Sequence, residues 1–163
     1  MKQNTDNFAK LGDFGLAKEL NQSFPYTKTN VATPQYADPE ILKGEKYSFK
    51  SDIWSLGVTF YQLIIFDFPF EGKTIAEMQT NILEGKIKKI PENYKIDHEF
   101  LELINKMLSL KEDERPSAQE IIKKAIINTR MKCYLKENGF DLKQSNLLLM
   151  NMKKMLIVNI KKK

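Results

Sequence analysis

Ser51-Asp52-Ile53-Trp54-Ser55-Leu56-Gly57-Val58-Thr59-Phe60-Tyr61-Gln62-Leu63-Ile64-Ile65 is the stretch around which the rest of the chain is organised. Wound at ~100° per residue, it spreads Ile53, Trp54, Leu56, Gly57, Val58, Phe60, Tyr61, Leu63, Ile64 and Ile65 over more than half of its circumference. Asp52, Ser55, Thr59 and Gln62 share one narrow arc. A helix that apolar belongs in the interior of a domain. A bilayer crossing needs roughly 20 apolar residues, so this shorter and interrupted run seeks other protein rather than lipid.

The remainder of the chain has to supply that protein. Its 163 residues, 42% hydrophobic and 10% aromatic, are one domain's worth with enough material for a core. Cys133 is the only cysteine, which excludes a disulfide framework and a cysteine-rich zinc site. No signal peptide is visible, and the expected compartment is intracellular, cytoplasmic or nuclear. The net charge of +5 comes almost wholly from lysines. They are scattered, apart from Lys161, Lys162 and Lys163, and form no basic stripe of the kind that tracks a phosphate backbone, so no nucleic-acid partner is expected.

Taken in order, Phe8-Ala9-Lys10-Leu11 reads as a short strand after turn-forming residues 4–7. Residues 12–47 show little periodicity and read as a long loop, and loops of that length inside a domain usually carry function. The apolar helix is entered at about Ser48 and left by Asp67-Phe68-Pro69-Phe70. Thr74 and Glu77 form a capping-box pattern before a helix with Ile75, Met78 and Ile82 on one face, and Gly85 is its expected stop. Asp97 is placed to cap a helix carrying Phe100, Leu101, Ile104, Met107 and Leu108 at helical spacing. Ser117 and Glu120 form a second capping box, opening a helix with Ala118, Ile121, Ile122, Ala125 and Ile126 inward. From residue 128 the pattern changes. Asn138-Gly139 breaks the chain, and residues 147–160 are apolar but cut by Asn151, Lys153 and Lys154. The expected division is a unit at 1–127 and a Lys-rich tail at 128–163, helical or poorly ordered, with an amphipathic membrane or partner helix as the alternative.

Four motifs are spaced along this framework: Asp13-Phe14-Gly15, Thr33-Pro34-Gln35-Tyr36-Ala37-Asp38-Pro39-Glu40, Asp52-Ile53-Trp54-Ser55-Leu56-Gly57, and Arg115-Pro116. In this order and spacing they resemble the C-terminal half of a protein kinase domain, over residues 8–127. Asp13-Phe-Gly-Leu-Ala-Lys18, Ile90-Pro91 and Arg115-Pro-Ser-Ala118 look most like the NIMA-related serine/threonine kinases. The resemblance implies a mainly α fold: an incomplete kinase-like C-lobe with helices around the buried one and a remnant strand at the N-terminus. It also implies phosphoryl transfer from ATP with Mg2+, a reaction that needs positioning and charge neutralisation more than covalent chemistry.

By that resemblance Asp13 is a magnesium ligand, Phe14 packs beneath it, and Gly15 permits the backbone turn. Thr29 stands at the family's usual activation-loop phosphosite, four residues before Thr33. Thr33, Pro34 and Tyr36 belong to the segment that receives a protein substrate, in its serine/threonine form. Glu40 is expected to pair with Arg115 in a buried bidentate contact, and removing either partner of such a pair costs roughly 3–5 kcal/mol. Trp54 belongs to the scaffold, and Asp52 matches the residue that holds the catalytic loop's backbone. Two positions depart from the family's pattern. Ala32 replaces a common glycine, and Asp38 is unusual before Pro39-Glu40.

A working kinase also needs a glycine-rich loop, a lysine paired to a glutamate in its N-terminal lobe, and a His-Arg-Asp…Asn loop. None stands among these 163 residues. Asp13 would be one ligand of a site that needs several, so weak or no nucleotide binding is expected from the chain alone, and no catalytic residue is assigned. The leading expectation is a portion of a longer kinase. The alternatives are a non-catalytic binding module and half of a split kinase completed by an N-terminal fragment. In each case a partner surface is expected on the uncovered side of the apolar helix, around Phe60 and Ile64.

Overall fold

The computed structural model describes residues 33–46, 48–137 and 139. The expected strand at residues 8–11, Asp13, Phe14, Gly15, Thr29, Ala32 and the apolar stretch at 147–160 lie outside them. The described part is mainly helical, with α1 (Pro39–Leu42), α2 (Phe49–Ile65), α3 (Ile75–Leu83), α4 (His98–Met107), α5 (Ala118–Lys123) and α6 (Ala125–Glu137). Pro34–Tyr36 and Glu112–Glu114 are single turns of 3-10 helix.

Side-chain caps start most of these helices. Ser48 accepts from the Lys50 amide at 3.1 Å and opens α2, with Asp52 in the first turn facing the positive end of the helix dipole. Asp97 accepts from the Glu99 amide at 2.9 Å before α4. At α5 both halves of the expected capping box form: Ser117 Oγ accepts from the Glu120 amide at 3.2 Å, and Glu120 Oε2 accepts from the Ser117 amide at 2.7 Å. The latter bond pulls the Glu120 carboxyl below the ordinary carboxylate range. At α3 only half forms. Thr74 Oγ1 accepts from the Glu77 amide, but Glu77 Oε2 takes the Lys73 amide at 2.7 Å in place of that of Thr74. The chain enters so close to α3 that a Cβ on Gly72 would stand 2.3 Å from the Met78 nitrogen, and this brings the earlier amide over the first turn.

Among the described residues the chain turns through the left-handed region after α1, α2, α3 and α6, at Gly44, Phe66, Gly85 and Gly139. Gly85, after α3, has φ 68°, as its position in the sequence leads one to expect. Phe66, after α2, has φ 56° and donates its amide to Gln62 O at 2.8 Å. A left-handed backbone costs a non-glycine residue about 1–2 kcal/mol. Phe66 is also 87% exposed, so burial returns little of that cost.

The core forms where α2 meets α3, α4 and the connection between α2 and α3. Trp54, Val58, Tyr61, Phe70, Met78, Ile82, Ile104 and Leu108 make one buried cluster, and Ile53, Leu103, Met107 and Ile121 another. The Trp54 and Phe70 rings stack, with centroids 5.5 Å apart and planes within 6°. Gly57 allows α4 to touch the α2 backbone, since a Cβ there would lie 2.9 Å from Met107 Cβ.

The faces of α2 differ from the expected ones in a regular way. Phe60 and Ile64 are half-buried, packed against the clusters, and Phe60 meets Phe100 at 5.5 Å. The open side carries Asp52, Leu56 (37% exposed) and Leu63 (67% exposed). At ~100° per residue Leu56 and Leu63 fall within about 40° of Asp52, whereas Phe60 and Ile64 turn toward α4. A second difference concerns α5. Ile121 is buried, but Ala118 and Ala125 are exposed. The helix breaks at Lys124, whose extended backbone (φ −58°, ψ 135°) separates α5 from α6, so one continuous inward face cannot form.

Candidate functional site

Residues 33–40 are fixed to the helical body at two points. At the first, Tyr36 donates its hydroxyl to Gln62 Oε1 at 2.8 Å, Ser55 donates to Tyr36 O at 3.1 Å, and the Tyr36 ring meets Phe68 edge-on at 5.7 Å. Two of the four polar-arc residues of α2 are therefore used for docking this segment rather than facing water. Thr33 is exposed at the start of the Pro34–Tyr36 turn, where proline occupies the first position and needs no amide partner.

The second point is Arg115, buried in the connection between α4 and α5. Its Nη2 donates to both oxygens of Glu40, at 2.7 and 3.0 Å. The buried bidentate contact therefore forms through a single guanidinium nitrogen. Nη1 is directed instead at Asp38 Oδ2 and Lys50 O, each at 3.5 Å, and Nε donates to Ser109 O at 2.9 Å. The guanidinium carbon lies 4.9 Å from the Trp54 ring centre, a cation–π contact between two buried side chains. Lys50 Nζ donates to Arg115 O. Burial raises the Glu40 carboxyl above its ordinary pKa, its bonds to Arg115 oppose that, and the charge of Asp38 raises it further.

Asp38 was marked in the sequence only as a departure from pattern. It is fully buried and caps α1, accepting from the Ile41 amide at 2.8 Å through Oδ1. The readable signal was a capping residue immediately before proline and a short helix. Asp52 is exposed and makes no ion pair or hydrogen bond among the described residues. Partial desolvation, then the charge of Asp38, raises its carboxyl pKa.

Beside the docked segment lies an open groove of about 590 Å³, with Gln35, Phe68, Phe70 and Met78 among its walls and Asp67 and Glu71 at its rim. Lys88 bridges those two carboxylates, at 2.7 Å from Asp67 and also bonded to Glu71. That ties down one of the three lysines at 86, 88 and 89, and Lys86 pairs with Glu84 at 2.5 Å. His98 stands exposed at the start of α4. Among the described residues no group of three His, Cys, Asp or Glu side chains could hold a metal ion, and no helix is long and apolar enough to cross a membrane.

The order of these parts, a docked Thr-Pro segment, a buried Glu–Arg pair and an apolar helix with Trp54 beneath both, agrees with the match of residues 1–127 to the protein kinase domain family. The chain belongs to that family. Within it the relatives are NIMA-related. The human serine/threonine-protein kinase Nek2 is 44% identical over 118 residues, 72% of this chain and 26% of that protein. The G2-specific protein kinase fin1 of Schizosaccharomyces pombe is 36% identical over 143 residues, 88% of this chain and 19% of that protein. The G2-specific protein kinase nim-1 of Neurospora crassa is 41% identical over 127 residues, 78% of this chain and 14% of that protein. The kinase chain thus spans about a quarter or less of the length of these curated relatives.

Proposed function

We propose that this kinase chain supplies the substrate-receiving half of a serine/threonine protein kinase that transfers the γ-phosphate of ATP to protein hydroxyls. The observation that carries the reading is the double anchoring of residues 33–40, by Tyr36 on Gln62 and Ser55 and by Glu40 on Arg115. A segment so held presents Thr33 and Pro34 on a rigid support, and phosphoryl transfer depends above all on such positioning. Thr29 is the activation-loop phosphosite in this reading, and Asp13 is the magnesium ligand. The described residues do not fit a magnesium–nucleotide site, so their contribution is to placing the protein substrate.

Residues 1–127 act as the kinase unit and 128–163 as an appended tail. The open side of α2, along Asp52, Leu56 and Leu63, is where the ATP-binding half packs, and without that half the chain is inactive. The test is a chimera in which the human Nek2 segment that precedes its match to this chain is joined to this chain. Casein phosphorylation by the chimera on Ser and Thr, with none by residues 1–163 alone, is the expected result. A chimera that folds, judged by buried Trp54 fluorescence, yet stays inactive refutes the reading. Micromolar Mg-ATP affinity of residues 1–163 refutes the weak or absent nucleotide binding expected of the chain alone.

A further inference from the structure

Arg115 offers its one positive charge to two carboxylates. The Arg115 and Asp38 side chains have no exposed surface and that of Glu40 only 11%, so the three groups together carry a formal charge of −1 away from water. One countercharge satisfies a buried guanidinium. A second has to be desolvated as well, and its return is smaller, since Asp38 lies 3.5 Å from Nη1 while Glu40 lies 2.7 Å from Nη2. Capping does not explain the charge on Asp38. Serine or asparagine would accept the Ile41 amide about as well as aspartate does.

What aspartate adds is the second oxygen, facing Arg115 while the first holds α1. Of the neighbouring charged groups, Asp52 is close enough to feel the charge of Asp38 and adds repulsion, while Lys50 bonds to the Arg115 carbonyl and leaves both carboxylates to the guanidinium. We propose that Asp38 is a reserve countercharge: it keeps Arg115 neutralised when Glu40 is displaced or protonated, so that residues 33–40 stay joined to the connection between α4 and α5. This reading stands on the buried geometry and is independent of any activity of the chain.

The test is a double-mutant cycle in the full chain, read by denaturant unfolding. Asp38→Asn keeps the cap and removes the charge, and Glu40→Gln keeps the shape. Each single variant is expected to lower the unfolding equilibrium constant by less than about tenfold, because one carboxylate still faces Arg115. The double variant leaves a buried cation without a countercharge, held only by the Ser109 and Lys50 carbonyls and Trp54, and is expected to lower it on the order of several hundredfold or more, well beyond the product of the two. A double effect equal to the product of the single effects overturns the proposal, and so does a Glu40→Gln variant that alone shows the full loss. Should the double variant not fold, Asp38→Asn is made in an Arg115→Met background, where Asp38 is an unpaired buried anion. There Asp38→Asn must raise stability, and a decrease or no change overturns the proposal.

Discussion

Gly57→Ala sets two effects of known size against each other at the closest approach of α2 and α4. In an unpacked helix the substitution is favourable by about 1 kcal/mol, because alanine loses less backbone freedom than glycine on folding. Here the new methyl would lie 2.9 Å from Met107 Cβ and 3.1 Å from Leu108 Cδ2. Carbon atoms prefer about 3.5–4.0 Å, and the Met107 atom belongs to the helix frame rather than to the tip of a flexible chain. α4 therefore has to retreat by roughly 0.5–1 Å, which forfeits a quarter to a half of the dispersion energy of each contact across the gap. Those contacts include the buried Leu103, Ile104 and Leu108. Overpacking of a dense core costs typically 1–3 kcal/mol, and set against the propensity gain of about 1 kcal/mol the net expectation is a destabilisation of up to about 2 kcal/mol.

Urea unfolding followed through Trp54 measures it, because Trp54 is the only tryptophan and is fully buried. With m near 1–3 kcal/mol/M the midpoint should fall by as much as about 0.7–2 M at unchanged slope. A variant more stable than the parent would refute the reasoning, because it would show that α4 does not press on α2 at Gly57.

Phe66→Gly should act in the opposite direction. It relieves the left-handed strain at φ 56° and gives up an 87% exposed ring, for a net gain of about 0.5–1 kcal/mol after the entropy of glycine is counted, and thermal unfolding measures it. Burial pushes the Tyr61 hydroxyl up to about 12, and its proton is donated to Lys88 O at 2.7 Å. Its folded pKa lies above the unfolded value, so its contribution is intact below about pH 10 and is lost as pH rises through about 12. Tyr61→Phe should flatten the alkaline loss of stability in that window, as read by denaturant midpoints. Ser117→Ala removes one half of the box that opens α5 and should cost about 1 kcal/mol, with faster amide exchange of Glu120 as the local readout.

The capped helices were legible in the sequence because caps are local. Ser48, Asp97 and Ser117 each act on an amide two or three residues away. The open face of α2 was not legible, because Leu56 and Phe60 are equally apolar and only the position of α4 decides which of them it covers. Ala125 falls off the inward face of α5 because the chain breaks at Lys124, which no proline or glycine in the sequence marks. Within the site, pairing Glu40 with Arg115 followed from the motif order, but the direction of each guanidinium nitrogen did not. The part of Asp38 in the cluster depends on a neighbour 77 positions away, which no local pattern announces.

That distance along the chain also sets an order of events during synthesis. Glu40 and Arg115 are 75 residues apart, so at ~5–20 residues per second the ribosome takes roughly 4–15 s to deliver the cation after its carboxylate has been made. Throughout that interval residues 33–40 have no Arg115 to close upon, and Asp38 and Glu40 remain solvated anions on a nascent chain. Desolvating them becomes favourable only when Arg115 arrives, so locking of this segment comes late, after α2 and α4 have already been made.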